Sequence, residues 1–165
     1  MKILFASDHA GFALKNALVE HVRNLGYEVE DMGAFVQDSN DDYPDFVTPL
    51  AQKVAGNSQA GEDAARGIII GGSGQGEAMC ANRTKEIRAA VFYGPRHATE
   101  TLDIEGGRSE DGLDTVRLSR RHNNANILCI GARFVSGDEA DEAVRIFIET
   151  PFSDSPRHAR RLAKF

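Results

Sequence analysis

The sequence predicts a single three-layer α/β/α domain, with helices on both faces of a five-stranded parallel sheet. Three observations carry this. Short apolar runs alternate with amphipathic stretches along the chain. That alternation makes βαβ units, whose strands lie parallel and are buried on both faces. A length of 165 residues suits one domain around one core.

The elements follow in order. Lys2–Ser7 is a buried strand. Ala10–Leu25 is a helix with Leu14, Leu18, Val22 and Leu25 on one face and Gly26 as its stop. Tyr27–Met32 is the second strand, and Pro44–Ala55 the second helix, with Pro49 a candidate early break. Gly67–Ile70 is the third strand; it leads into the turn Gly71-Gly72-Ser73-Gly74-Gln75-Gly76 and a helix over Glu77–Arg83. Arg88–Phe92 and Asn126–Ile130 are strands four and five. Ser136–Glu149 is a long helix that offers Ala140, Ala143, Val144, Phe147 and Ile148 for packing. Asp103–Asp114, rich in glycine and acids, departs from the alternation and reads as a surface insertion or mobile loop.

Composition narrows the function classes. Hydrophobic residues make up 41% and charged residues 27%, ordinary for a soluble globular protein. A net charge of −6 argues against nucleic acid or an anionic membrane as partner, but not against a small anion held by a few arginines. No apolar run approaches the length of a membrane span, and the N-terminal run enters a strand without a secretory-type stretch. Cys80 and Cys129 lack ligand spacing and read as buried reduced thiols. A cytoplasmic location is expected.

In parallel sheets, ligands bind at the carboxyl ends of the strands. That rule points to Asp8-His9 after strand one, the glycine-rich turn after strand three, and the loops after strands four and five. The Gly71–Gly76 turn followed by a helix start can present several N–H groups to one anion. It is a poor dinucleotide fingerprint, because the G-x-G-x-x-G pattern begun at Gly72 ends on Glu77. Glu77 is either a proton-transferring base at this rim or a helix N-terminal acid complementing the dipole. Asp8 is either a helix cap or a ligand contact, with His9 beside it as an anion or hydroxyl contact. His122-Asn123 before strand five is a candidate for proton handling and hydroxyl recognition, or else part of a solvated loop. Arg157 and Arg161 lie four apart, on one helical face, and can grip one phosphate, with Arg133 as a candidate to join them.

Seven pieces in the same order resemble the ribose-5-phosphate isomerase B family, which also includes galactose-6-phosphate and allose-6-phosphate isomerases. They are Ser7 to Gly11, Asp42-Tyr43-Pro44, Gly67 to Asn82, Ile87 to Val91, Ser119 to Asn123, Gly131-Ala132-Arg133 and Arg157-His158. The resemblance implies a Rossmann-like fold over residues 1–165 and an aldose–ketose isomerase of a small phosphorylated sugar. One branch of the family places a catalytic Cys at the end of strand three. The other has Gly there and a Glu in the next helix, as in Gly71 and Glu77. By resemblance Glu77 is the base, His122 opens the sugar ring with Asn123 beside it, and Asp8 and Tyr43 contact ring and hydroxyls. The anion hole falls on Gly72, Ser73, Gly74 and Gly76. The phosphate grips fall on His9, Arg133, Arg157 and Arg161, the last two in a C-terminal segment over 150–165. No metal or cofactor is implied, and the assembly is a homodimer or dimer of dimers with shared sites. The 103–114 insertion leaves ribose 5-phosphate as the default substrate and another pentose or hexose phosphate as the alternative. A sugar-phosphate sensor without turnover and a nucleotide-binding domain are the rival classes.

Overall fold

The computed structural model describes residues 1–57, 64–103 and 106–164. Strands β1 (Lys2–Ser7), β2 (Glu28–Asp31), β3 (Arg66–Gly71), β4 (Ala89–Phe92) and β5 (Ile127–Gly131) form one parallel sheet in the order β2-β1-β3-β5-β4. Six helices are present among the described residues: α1 (Phe12–Asn24), α2 (Pro44–Gly56), α3 (Gln75–Ala81), α4 (Asp114–Arg121), α5 (Gly137–Glu149) and α6 (Pro156–Leu162).

Alternation along the central strands builds two cores. Ile3, Phe5, Ile68, Ile70, Leu128 and Ile130 face one side, where Leu18 and Val22 of α1 and Val144 and Phe147 of α5 cover them. Leu4, Ala6, Ile69, Ile127 and Cys129 face the other, under Val47, Leu50 and Val54 of α2 and Ala78 of α3. Register levels the strand ends: Ser7 pairs with Ile70, and Gly71 with Gly131. The sheet order reverses between β1 and β3, and such a switch opens a crevice at the carboxyl edge.

Pro49 does not break its helix. It lies exposed on the outer face, while Val47, Leu50, Ala51 and Val54 keep a continuous buried stripe through Gly56. Leu25 is 40% exposed at the end of α1, and the fully buried Lys15 takes a place on the buried face instead. Cys129 is buried as expected, whereas Cys80 is half-buried. Helix α4 was not visible as an element in the sequence. Its buried positions are Asp114, Val116, Ser119 and Arg120, so no apolar stripe announces it. Ser136 caps α5 and exchanges hydrogen bonds with Glu139 in a capping box.

Two polar anchors fix the edges of the sheet. The Lys15 ammonium pairs with Asp31 at 2.5 Å, and Asp31 also accepts the Gly33 N–H at 3.0 Å. Ser7 then exchanges backbone hydrogen bonds with Gly33 and Ala34, both 2.8 Å, fixing the end of β1 just before Asp8. At the opposite edge, Arg66 at the start of β3 donates to the carbonyls of Phe147 and Ile148 at 2.7 and 2.5 Å. The C-terminus of α5 is therefore tied to the amino edge of the sheet. No helix among the described residues is long and apolar enough to cross a membrane.

Candidate active site

At the carboxyl edge, the turn after β3 brings Glu77 back onto the strand it follows. Gly74, at φ +73°, occupies the left-handed region and caps α3, which places Glu77 in the first helical turn. A Cβ built on Gly71 would overlap Glu77 Oε1. The Glu77 carboxylate thus fills the space that a side chain at position 71 would take. This geometry accounts for the pairing of Gly71 with Glu77: either residue 71 carries a side chain here or Glu77 reaches here. Glu77 is 4% exposed. Burial pushes its carboxyl above the ordinary range, with the Asp8 charge adding to the shift and Arg133 opposing it.

The neighbours complete one cluster. Asp8 Oδ1 accepts the N–H groups of Ala10 and Gly11 at 3.0 and 3.2 Å, holding the turn that leads into α1; the N-cap itself is Gly11, so Asp8 does not cap the helix as the sequence allows. The Arg133 guanidinium lies against Gly72, and the Tyr43 ring against Gly76, each 2.9–3.0 Å from where a Cβ would be. Ser73 Oγ accepts the Gln75 N–H at 3.4 Å. His9 is held twice by Asp41 Oδ1, through its backbone N–H at 3.2 Å and its ring Nδ1 at 2.6 Å. That hydrogen bond raises the His9 imidazole above its ordinary value, and the Asp8 charge adds to it. Asp41 is the site residue that the sequence reading missed. Its Oδ2 and the Ser7 hydroxyl are buried without a protein partner at this edge. Asp8, His9 and Asp41 also bring one metal-type donor each within 4.8 Å of one another.

A second cluster lies at the amino edge. His122 ends α4 and precedes β5, and the Ser153 N–H bonds the Arg121 carbonyl at 3.1 Å, drawing the α6 segment alongside. Arg121, His122, Arg157, His158 and Arg161 line a pocket of about 440 Å³. The His122 and His158 rings stack with centroids 4.1 Å apart, and His158 Nδ1 sits 3.0 Å from Ser153 Oγ. Partial burial, then the nearby His158 and Arg121, hold the His122 imidazole below its ordinary value. Asn123 is exposed and lines a separate 410 Å³ pocket with Asn82 and Arg88.

The expected residues therefore fall into two groups. Asp8, His9, Tyr43, Gly72–Gly76, Glu77 and Arg133 follow strand ends; His122, Asn123, Arg157 and Arg161 belong to the other edge. Arg133 does not join Arg157 and Arg161. The five residues of β5 separate the edges by roughly 16 Å. The inserted segment starts after β4 at the carboxyl edge and carries Leu102 and Asp103 to the His122 pocket. Within it the Gly107 N–H donates to Asp103 Oδ1 and the Leu113 N–H to Asp111 Oδ1; positions 104–105, like residue 165 of the C-terminal segment, lie outside the described residues.

A parallel α/β protein with a buried carboxylate at a glycine-rich anion turn and a basic second pocket is the class defined here. The sequence pattern of the ribose/galactose isomerase family matches residues 3–105 and 111–165, and the chain belongs to that family. Among similar proteins, ribose-5-phosphate isomerase B of Mycolicibacterium paratuberculosis is 35% identical over 162 residues, 98% of this chain and 87% of that protein. The crystal structure of the Mycoplasma genitalium ribose-5-phosphate isomerase B with bound ribulose-5-phosphate matches with a TM-score of 0.82 at 37% identity, covering 99% and 92% of the two chains. That from Thermotoga maritima matches at 0.80 and 37%, covering 99% and 95%.

Proposed function

We propose that this protein interconverts ribose 5-phosphate and ribulose 5-phosphate, using Glu77 as the base, in sites shared between two copies of the chain. The observation that carries the reading is the Glu77 carboxylate folded over Gly71, buried beside an anion turn. The names of the relatives, and the ribulose-5-phosphate bound in the Mycoplasma genitalium structure, support the substrate.

In this mechanism His122 assists opening of the sugar ring. Glu77 takes the proton from C2 of the aldose, and an enediolate forms. The N–H groups of the Gly71–Gly76 turn, with Ser73, hold the developing oxyanion, an arrangement that contributes about 2.7–4 kcal/mol in measured cases. Glu77 returns the proton to C1 while the hydroxyl proton passes from O2 to O1, giving the ketose. Asp8, Tyr43 and Asn123 contact hydroxyls, and His9, Arg133, Arg157 and Arg161 grip the phosphate. Holding the phosphate far from the reacting carbons orients them. No step needs a metal: Asp8 and Asp41 already engage backbone N–H groups and His9.

Because one chain holds its two clusters at opposite edges, His122 of one copy must serve Glu77 of another. Exposed apolar side chains suit such a partner surface. Phe35, Val36, Met79, Tyr93 and Phe134 are 45–71% exposed, and all lie on segments that leave the carboxyl edge. The reading also places the enzyme in the cytoplasm, in keeping with two free thiols.

Proton NMR with ribose 5-phosphate in D₂O, beside galactose 6-phosphate and allose 6-phosphate, tests the function. Ribulose 5-phosphate with deuterium at the exchanged carbon is the expected product. Turnover of a hexose phosphate alone moves the specificity, and binding without turnover of any sugar sinks the enzyme reading. The His9 role has its own expected result. Asp41→Asn removes the negative charge that favours the protonated His9 imidazole, so the imidazole loses its proton at a lower pH than in the wild type. KM for ribose 5-phosphate then rises more at pH above the ordinary imidazole range than below it. A pH-independent change in KM would count against this role.

A further inference from the structure

The family pattern matches residues 3–105 and 111–165 and steps over 106–110, which lie in the segment between β4 and α4. Its described residues are anchored at both ends. The Arg96 N–H donates to the Gly112 carbonyl at 2.7 Å. Asp111 takes the Arg117 guanidinium through both oxygens at 2.6 and 2.5 Å, and Ser109 bonds Asp114 at the start of α4. Further along, the Leu102 N–H donates to the Gly107 carbonyl at 2.7 Å, and Asp103 Oδ1 accepts the Gly107 N–H at 3.0 Å. These contacts set Leu102 and Asp103 into the wall of the pocket that contains His122, Arg157 and Arg161. Asp103 therefore supplies a carboxylate to an otherwise basic pocket.

A pocket lined by arginines takes any small anion, and free phosphate competes there with a phosphorylated sugar. A carboxylate in the wall repels both. Only the sugar offers a chain of hydroxyl groups that can donate to that carboxylate, and such charge-assisted bonds offset the repulsion. Selectivity is the difference between the two affinities. We propose that Asp103 is a specificity-determining residue: it makes this pocket prefer a phosphate carried on a polyhydroxy chain over free inorganic phosphate. The inference rests on the reading that this pocket receives a sugar phosphate.

The test uses the intact protein and its Asp103→Asn variant. Asparagine keeps an oxygen to accept the Gly107 N–H, so the local contacts persist while the charge is lost. Calorimetric titrations at one pH and low salt give dissociation constants for inorganic phosphate and for ribose 5-phosphate. The expected result is that the ratio of the phosphate constant to the ribose 5-phosphate constant falls about fivefold or more in Asp103→Asn. Asp103→Glu, which keeps the charge, holds the ratio within about twofold of the wild type. A purely structural Asp103 predicts an unchanged ratio in Asp103→Asn, and that result overturns the proposal. So does a wild type that shows no preference for the sugar phosphate. Turnover by the wild type is read separately by NMR: its absence refutes the isomerase while the binding ratio still decides the role of Asp103.

Discussion

Glu77→Gln is expected to lower kcat for ribose 5-phosphate by about 10²–10⁴, the range that a positioned base contributes, while sugar-phosphate affinity stays near that of the wild type. Glutamine matches the shape of the side chain folded over Gly71 but cannot accept the C2 proton. The variant also has a stability signature that separates the two readings of this residue. Burial raises the Glu77 carboxyl above its ordinary range. The folded protein therefore holds a proton that the unfolded chain has released. This contribution to stability is full below the unfolded value and is lost as pH rises through the folded one. Glutamine is neutral throughout, so Glu77→Gln unfolds at a higher temperature than the wild type near neutral pH. The gap closes by about pH 4. An acid present only to complement the α3 dipole predicts the reverse: lower stability and intact turnover. In the wild type, the same raised value makes kcat increase with pH as the base ionises.

Why these residues were legible, and others were not, depends on how local their causes are. Strands β1, β3 and β5 announce themselves because each is a short, largely apolar run that is almost wholly buried. Glu77 and Asp8 were found because strand ends in a parallel sheet are where ligands bind, and their neighbours are glycines. Lys15 could not be recognised as buried, since its partner Asp31 comes from another strand. Asp41 stands among Asp38, Asp42 and Asp45, and only the fold selects it as the partner of His9. Helix α4 hides because three of its four buried residues are polar: besides Asp114, Ser119 donates to the Val116 carbonyl, and Arg120 to the carbonyls of Ala125 and the distant Thr150. The separation of His122 from Glu77 was written in the order of elements, one before a strand and one after. Resemblance gathers them into one site, and the three-dimensional arrangement holds them at opposite edges of the sheet in one chain.

The separation of His122 from Glu77 can be measured without a structure of the assembly. Glu77→Gln and His122→Gln are each expected to be nearly inactive alone, because each removes a proton-handling group from every site. Mixed in equal amounts by co-expression with two affinity tags, they are expected to recover roughly a quarter of wild-type activity. Half of the dimers then contain one chain of each kind. In such a dimer one site receives the intact Glu77 of the His122→Gln chain and the intact His122 of the Glu77→Gln chain, while its twin receives both defects. Isolating the doubly tagged species raises the recovery to about half. A site complete within one chain gives no recovery at all, since neither variant holds both groups. The roughly 16 Å of β5 between the two edges makes recovery the expected outcome. It also predicts that the recovered activity disappears on dilution below the dimer dissociation constant, together with that of the wild type.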